Sequence, residues 1–349
     1  MLILGLESSC DETAAALVRD GREVLSSCVA SQTAVHAPFG GVVPEVAARE
    51  HLRVIDPLVR EALAQAGVGI EAVDAIAVTR GPGLIGALLV GVAYAKGLAL
   101  ALRRPLVPVD HVHAHVHGAL LGVKPAADFY PALALVVSGG HTNLYRMASP
   151  IDFELLASTA DDACGECFDK VAKLVGFGYP GGPEIERTAR GGDPTRVAMP
   201  RMVEVKSRME FSYSGLKTFV ANYVNQAPKP MPAGQLADLC ASFQDEALGQ
   251  IVRKLTVARA HHPDVRSLLV AGGVAANQRF RALLEAAPEL RLTSYFPEPR
   301  FCADNAAMIA AYGYHVHMAS SGGVPARDVV GAHDWDAYSR YDYAQVTRT

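Results

Sequence analysis

Near its start the chain reads Leu2-Ile3-Leu4-Gly5-Leu6-Glu7-Ser8-Ser9-Cys10-Asp11-Glu12-Thr13-Ala14-Ala15-Ala16-Leu17-Val18. Two apolar runs flank a polar bend rich in carboxylates, which is the pattern of a β-hairpin. The pattern returns where the apolar run Ala132 to Ser138 is followed by Gly139-Gly140 and a second strand from Thr142 to Arg146. A hairpin used twice predicts two similar α/β lobes, an N-terminal one over residues 1–130 and a C-terminal one over 131–349.

The segments around the hairpins predict the remaining elements. Apolar spacing indicates a helix over residues 45–65 and a short buried strand at 75–79, followed by a glycine turn and a long helix. Residues 236–260 predict an amphipathic helix, and a βα unit at 267–284 completes the second lobe. Residues 176–217, rich in Gly, Pro, Arg and Lys, are predicted to be an irregular, locally basic insertion.

Composition limits the function classes. The chain has 349 residues, 50% of them hydrophobic and 19% charged, which suffices for two packed lobes. A formal net charge of -4 lacks the excess expected of a protein that grips nucleic acid unaided, so any RNA must meet a local patch or a partner subunit. Glycines interrupt the apolar residues 84–102, which predicts a buried helix and no membrane span. Without a signal-peptide pattern we expect a cytoplasmic protein, whose six cysteines are free thiols.

Glycine loops suggest a nucleotide site. Residues 81–86 match GxGxxG, but the match lies deep in the lobe and Pro82 removes a backbone donor, so a dinucleotide fold is disfavoured. Three further loops lie in the second lobe, at Ser138 to Thr142, Tyr179 to Pro183 and Ala271 to Asn277. Glycine pairs let the backbone approach a ligand closely, and exposed N–H groups suit phosphate oxygens. The second lobe is therefore predicted to bind a nucleotide.

Two polar residues beside these loops have alternative interpretations. Asp169 is placed to accept from a ribose hydroxyl, or is an ordinary surface acid. Asn277 is placed to hold a sugar or phosphate, or is a helix N-cap.

Four histidines at residues 111, 113, 115 and 117 follow a predicted strand. In a helix they form two i, i+4 pairs, a usual spacing for two metal ligands, and spacing alone does not choose between the pairs. Val112 stands where the HExxH motif requires glutamate, which disfavours a metallopeptidase. Asp304, before an apolar helix, is the most plausible third ligand or else an N-cap. The CxxC at Cys164 and Cys167 has no second CxxC to complete a zinc site.

Eight motifs in register resemble the universal tRNA threonylcarbamoyladenosine transferase family, once named O-sialoglycoprotein endopeptidases. They are Gly5 to Thr13, Thr79-Arg80-Gly81-Pro82-Gly83, His111 with His115, Ser138-Gly139-Gly140-His141-Thr142, Phe168-Asp169-Lys170, Tyr179-Pro180-Gly181-Gly182-Pro183, Gly272 to Asn277 and Cys302-Ala303-Asp304-Asn305. The resemblance implies a two-lobed fold of the actin, sugar kinase and heat-shock ATPase (ASKHA) type.

The resemblance also implies site roles. His111, His115 and Asp304 would hold one divalent metal, iron or zinc, that polarises the carbamoyl donor. Glu12 and His141 are candidates to assist proton movement. The adenylate surface would comprise Val136, Val137, Ser138, Gly139, Gly140, Thr142, Asp169, Gly182, Glu186 and Asn277.

The implied reaction transfers a threonylcarbamoyl group from threonylcarbamoyl-adenylate, made by a separate enzyme, to N6 of adenosine 37 in tRNAs that read codons beginning with A. The implied partners are tRNA, a degenerate paralogue as heterodimer subunit and a small P-loop ATPase. The alternatives are a non-catalytic ATP-binding paralogue and a metallopeptidase. His113, His117, Cys164 and Cys167 depart from the family pattern.

Overall fold

The chain folds into two α/β units in the computed structural model, which describes residues 1–39, 41–126, 128–201, 209–320 and 336–340. The first unit comprises Met1–Ala126 together with Ala303–Thr349, and the second comprises Ala127–Cys302.

The described part of the first unit contains a five-stranded sheet in the order β3-β2-β1-β4-β5. Its strands are β1 (Leu2–Glu7), β2 (Glu12–Arg19), β3 (Glu23–Ser31), β4 (Ala75–Gly81) and β5 (Leu106–Asp110). Its α-helices are α1 (Thr33–His36), α2 (Pro44–Ala66), α3 (Ile85–Leu102), α4 (His111–Gly118) and, from the later part of the chain, α10 (Ala306–Ala319).

The described part of the second unit contains a six-stranded sheet in the order β11-β10-β6-β7-β8-β9. Its strands are β6 (Ala132–Val137), β7 (Thr142–Ser149), β8 (Asp152–Thr159), β9 (Glu210–Phe211), β10 (Ser267–Ala271) and β11 (Thr293–Tyr295). Its α-helices are α5 (Cys164–Leu174), α6 (Gly181–Ala189), α7 (Ser214–Gln226), α8 (Ala233–His261) and α9 (Gln278–Glu285).

The repeated hairpin is confirmed in both units. Strand β1 pairs antiparallel with β2 and parallel with β4, and β6 pairs antiparallel with β7 and parallel with β10. Every residue of β1 and of β6 is buried, because each strand has a neighbour on both sides and layers packed on its faces. The first strand of each hairpin is thus an interior strand of its sheet.

The predicted lobe over 131–349 is wrong in its last part, since helix α10 returns to the first sheet. Gly5 on β1 makes the approach possible, because an added Cβ there would lie 2.2 Å from the carbonyl oxygen of Ala306. Gly313 gives α10 the same close contact with β4, where its Cβ would lie 2.4 Å from that of Ala77. The first boundary, predicted near 130, lies at 126.

The predicted irregular insertion is also partly wrong. Residues 181–189 form helix α6 and α7 begins at Ser214, within the stretch predicted to be loop. The carboxylate of Asp169 accepts a hydrogen bond from the N–H of Gly181 at 2.7 Å, which satisfies the first turn of α6 despite its glycines and proline. Residues 202–208 of the insertion lie outside the described residues.

Helix α3 differs from the buried helix predicted here. Among the described residues it is the one helix long and apolar enough to cross a membrane, a test that core helices also pass. Ala87, Leu88 and Val92 are buried, while Ile85 and Leu89 are each 46% exposed. The glycines therefore do not break the apolar span, and only one face of α3 packs on the protein.

The close approach of β1 and α10 predicts that Gly5→Ala destabilises the first unit. The added methyl group cannot avoid the backbone of α10, and such overpacking costs about 1–3 kcal/mol. The measurement is the urea concentration at which half of the first unit is unfolded. Hydrogen exchange of the β1 amides reports on this unfolding. The matched control is Gly97→Ala on α3, where no described atom lies within 4 Å of an added Cβ and where alanine favours the helix. Equal midpoints for the two variants would contradict the packing argument.

Candidate metal centre and nucleotide loops

Helix α4 begins at His111 because the preceding residue caps it. The Oδ1 atom of Asp110 accepts a hydrogen bond from the N–H of His113 at 2.9 Å, which is a regular N-cap. The helix then places His111 and His115 on one face, where both side chains are buried. Their rings meet edge to face with centroids 4.7 Å apart.

Asp304 lies opposite these histidines because it does not cap α10. That cap is Asn305, whose Oδ1 accepts from the N–H of Met308 at 3.0 Å. The Oδ1 atom of Asp304 lies 3.1 Å from Nε2 of His115 and 3.7 Å from Nε2 of His111. The N-cap interpretation of Asp304 is therefore wrong, and its carboxylate meets both imidazoles.

The three side chains fit a metal ion. One ligand atom from each of His111, His115 and Asp304 can be chosen so that all lie within 4.8 Å of one another. Ligand atoms about 2.1 Å from a metal lie roughly 3–3.5 Å apart, close to the measured separations. Neither ring nitrogen of His115 makes a hydrogen bond of regular geometry, although Nε2 lies 3.1 Å from Oδ1 of Asp304, and a buried imidazole in this state favours an ion at this position.

A fourth residue, Glu7, was not assigned a role from the sequence. Its carboxylate, at the end of β1, is 1% exposed and lies 2.9 Å from Nδ1 of His111. The hydroxyl of Thr79 and the N–H of Ser9 also donate to it, at 2.7 and 2.5 Å. With its Nδ1 proton donated to Glu7, His111 can give up only its Nε2 proton, so that a metal would bind at Nε2 on the Asp304 side.

Charge in this cluster shifts two pKa values strongly. Burial lowers the pKa of His111, but the carboxylates of Glu7 and Asp304 outweigh it and raise the pKa from 6.5 to about 9. Burial, together with the charges of Asp11 and Asp304, raises the pKa of Glu12 to about 8. Glu12 is held by Ser31, whose hydroxyl donates to Oε1 at 3.1 Å. Glu12 therefore has a pKa suited to carrying a proton near neutral pH.

The other histidine pair packs elsewhere. The ring of His117 stacks on Tyr312 of α10 at 4.8 Å, and His113 meets the same tyrosine edge to face at 6.1 Å. These rings form a packing contact between α4 and α10. Spacing alone left two pairs open, and the position of Asp304 selects His111 with His115.

In the second unit the turn after β6 is closed by its own polar groups. The N–H of Ser138 donates to the carbonyl of His141 at 2.8 Å, and the N–H of His141 donates to the hydroxyl of Ser138 at 3.1 Å. Gly139 and Gly140 form the exposed tip of this turn. An added Cβ at either glycine would meet no described atom within 4 Å. The tip is open to a ligand.

Other predicted binding residues of this loop are buried and help to fix its conformation. Val136, Val137 and Thr142 are fully buried, and the hydroxyl of Thr142 accepts from the N–H of Cys164 at 2.8 Å. Gly272, at φ +90, lies so close that an added Cβ would be 2.3 Å from the carbonyl oxygen of Val137. The side chains named here set the shape of the loop.

Asp169 and Asn277 both act as helix caps. Asp169 accepts hydrogen bonds from the N–H groups of Gly181 and Gly182 at the start of α6. Asn277 accepts from the N–H of Phe280 at 3.0 Å and donates to Gln244 at 2.8 Å. The cap interpretation is confirmed for Asn277, and contact of either residue with a nucleotide stays a prediction.

Glu186 joins α6 to the start of α9. Its Oε1 accepts from the N–H of Gln278 at 3.0 Å. It also lines a cavity of about 200 Å³, whose other walls include Gln244 and the arginines Arg190 and Arg279. This cavity lies in the same unit as the open glycine turn, and a nucleotide site there stays a prediction.

Comparison with known proteins decides the family. Residues 23–311 match the family model of tRNA N6-adenosine threonylcarbamoyltransferase. This chain belongs to that family. The protein of that name from Symbiobacterium thermophilum is 52% identical over 319 residues, covering 91% of this chain and 92% of the relative. The protein of that name from Syntrophobacter fumaroxidans is 52% identical over 320 residues, covering 90% and 94%.

Solved structures agree on the fold. Full-length HypF, in its phosphate- and nucleotide-bound form, aligns with TM-score 0.58 at 12% identity over 91% of this chain and 46% of HypF. The (R)-2-hydroxyglutaryl-CoA dehydratase component A of Acidaminococcus fermentans aligns with TM-score 0.53 at 13% identity over 90% and 98%. This chain therefore has the two-lobed actin-like fold. Membership of an acyltransferase family does not favour a metallopeptidase or a non-catalytic paralogue.

Two groups of residues in this chain have no assigned role. Cys164 and Cys167 are fully buried, and burial raises the pKa of Cys164 to about 12, so neither is poised as a thiolate. Lys206 and Arg208 of the basic segment lie outside the described residues. Of its described cations, Arg196 pairs with Asp193 and Lys217 with Asp162.

The His111 pKa of about 9 predicts that metal binding releases a proton at neutral pH. The proton and the metal compete for the same imidazole, so affinity should rise about tenfold from pH 7 to pH 8. In Glu7→Gln the negative charge is lost, the His111 pKa falls and the slope should flatten. The measurement is Zn²⁺ calorimetry in buffers of different ionisation enthalpy. Glu23→Gln, an exposed carboxylate on β3, is the control, and an unchanged slope in Glu7→Gln would contradict the assignment.

The open turn predicts that Gly140→Val weakens adenine nucleotide binding with the fold intact. The isopropyl group would occupy the space above the turn and lower the affinity about tenfold, or ~1.4 kcal/mol. Calorimetric titration with ATP measures it. Gly41→Val, also in open space but in the first unit, is the control. Equal affinity in the Gly140 and Gly41 variants would remove the turn from the site.

Proposed function

We propose that this chain transfers the threonylcarbamoyl group from threonylcarbamoyl-adenylate to N6 of adenosine 37 in tRNAs that read codons beginning with A. The observation that carries the proposal is the cluster of the buried His111 and His115 with the half-buried Asp304, in a member of the threonylcarbamoyltransferase family. In the reaction the N6 amine forms a bond to the carbamoyl carbon. The bond between that carbon and the phosphate oxygen of the adenylate breaks, and AMP leaves.

The cluster supports a resident divalent metal, iron or zinc. Two histidines and one carboxylate are the ligand set of non-haem Fe(II) sites, and zinc accepts the same donors. When bound, the ion supplies a Lewis acid that polarises a carbonyl or phosphoryl oxygen. Glu7 keeps the Nδ1 proton of His111, so that the ring offers Nε2 to the ion.

Other residues of the chain handle the adenylate and the proton. The turn at Gly139 and Gly140, together with the cavity beside Glu186, supports a nucleotide site in the second unit. Burial and the surrounding carboxylates make Glu12 the candidate to take the proton that N6 loses on forming the new bond, once it is deprotonated. His141, held in the turn by Ser138, is proposed to assist proton movement at the nucleotide.

The exposed face of α3 supports dependence on a partner. Ile85, Leu89 and Leu100 are each between 46% and 49% exposed and lie along one side of a helix whose other side is packed. We assign this face to the paralogous subunit, since such an apolar stripe is unfavourable in water. A small P-loop ATPase and tRNA complete the proposed cytoplasmic assembly.

The test is transfer of label from threonine and bicarbonate to tRNA by the purified chain with its partners and the adenylate-forming enzyme. We expect the label on adenosine 37 and none on tRNA carrying guanosine there. His115→Ala should lose the metal and at least about a hundredfold of the transfer rate while keeping ATP affinity. The control is His261→Ala, an exposed histidine at the end of α8. Unlabelled tRNA with all partners present would contradict the function, and unchanged metal content in His115→Ala would contradict the ligand assignment.

A further inference from the structure

Residues 336–340 lie against the end of strand β4, which carries Thr79 and Arg80. The N–H of Tyr338 donates to the carbonyl of Arg80 at 2.9 Å, and the N–H of Gly83 donates to the carbonyl of Ser339 at 3.4 Å. The guanidinium carbon of Arg80 lies 5.3 Å from the centre of the Tyr338 ring, a cation–π contact.

Gly81, at the end of β4, leaves the space in which Tyr338 packs. An added Cβ at Gly81 would lie 2.3 Å from the carbonyl oxygen of Tyr338 and 2.8 Å from its ring. The φ of Gly81 is +156, a conformation that side chains with a Cβ rarely adopt. The end of β4 is therefore shaped to receive Tyr338.

The hydroxyl of Tyr338 ends on the residue that caps the metal helix. It donates to Oδ2 of Asp110 at 2.5 Å, while Oδ1 of the same carboxylate accepts from the N–H of His113 at 2.9 Å. One oxygen of Asp110 thus starts helix α4 and the other is fixed by the tyrosine. His111 follows Asp110 directly. The orientation of the Asp110 carboxylate therefore affects the first turn of α4, which carries His111.

We propose that Tyr338 is a positioning residue for the metal centre, acting through Asp110 on the helix that carries His111 and His115. This inference rests on the proposed metal site. The hydroxyl of Tyr338 holds the capping carboxylate of Asp110 in one rotamer. Partners hydrogen-bonded directly to a metal ligand change metal affinity about 10- to 100-fold when they are removed, and Tyr338, one contact further out, is expected at the lower end of that range.

The test measures Co²⁺ affinity of the full chain from the visible absorption of the bound ion. We expect Tyr338→Phe, which keeps the ring and removes the hydroxyl, to weaken Co²⁺ binding about tenfold, with ATP affinity unchanged. The matched control is Tyr94→Phe, because Tyr94 also donates to a carboxylate of the first unit, Asp56, at 3.0 Å. Equal Co²⁺ affinity in the two variants would overturn the proposal, and so would a parallel loss of ATP affinity in Tyr338→Phe.

A double-variant cycle tests the route through Asp110. Asp110→Ser keeps an N-cap oxygen for α4 but has no second oxygen for the tyrosine. In that background Tyr338→Phe should have no further effect on Co²⁺ affinity. A full tenfold loss there would overturn action through the cap. A wild-type chain that binds no Co²⁺ would instead sink the metal site of the proposed function, and this inference with it.

Discussion

The first unit depends on one buried carboxylate. Glu7 is almost inaccessible to water, and a charge in that position is tolerated only when it is paired and hydrogen-bonded. Its partners come from separate parts of the chain: a backbone N–H of the bend, the hydroxyl of Thr79 on β4, and the imidazole of His111 on α4. The pairing of β1 with β4 and the start of α4 must therefore both be correct before the charge is satisfied. The same requirement positions His111, the first candidate metal ligand.

Side-chain caps then separate helix formation from ligand binding. Helix α4 is started by Asp110 and α10 by Asn305, and in each case the neighbouring residue in sequence, His111 or Asp304, is left to face the metal position. A ligand that also capped its helix would have to divide its oxygens between the two tasks. Because the caps are adjacent, the ligands inherit a fixed backbone without giving up any donor atom. Asn277 shows the other arrangement, since both ends of its amide are already used within the second unit.

Local pattern predicted the parts of this structure whose causes are local. The two hairpins follow from apolar runs around short polar bends, and the shared face of His111 and His115 follows from helical spacing. The return of α10 was not predictable in that way, because its cause is the missing side chain of Gly5, about 300 residues earlier in the chain, which permits contact with Ala306. Helix α6 was missed for a similar reason: its glycines and proline look like a loop, and the cap that starts it, Asp169, lies twelve residues upstream of Gly181. Glu7 looked like one more acid at a bend, and its burial is a property of the finished sheet.

The electrostatics of the first unit link the metal to the proton. Asp304 raises the pKa of both His111 and Glu12, since its negative charge favours the protonated form of each. A divalent cation bound to Asp304 would offset that charge: His111 would give up its proton to bind, and the pKa of Glu12 would fall, while burial and the charge of Asp11 would continue to raise it. The metal and the proton on Glu12 are therefore coupled through Asp304, and bound metal would increase the fraction of Glu12 that is deprotonated at neutral pH.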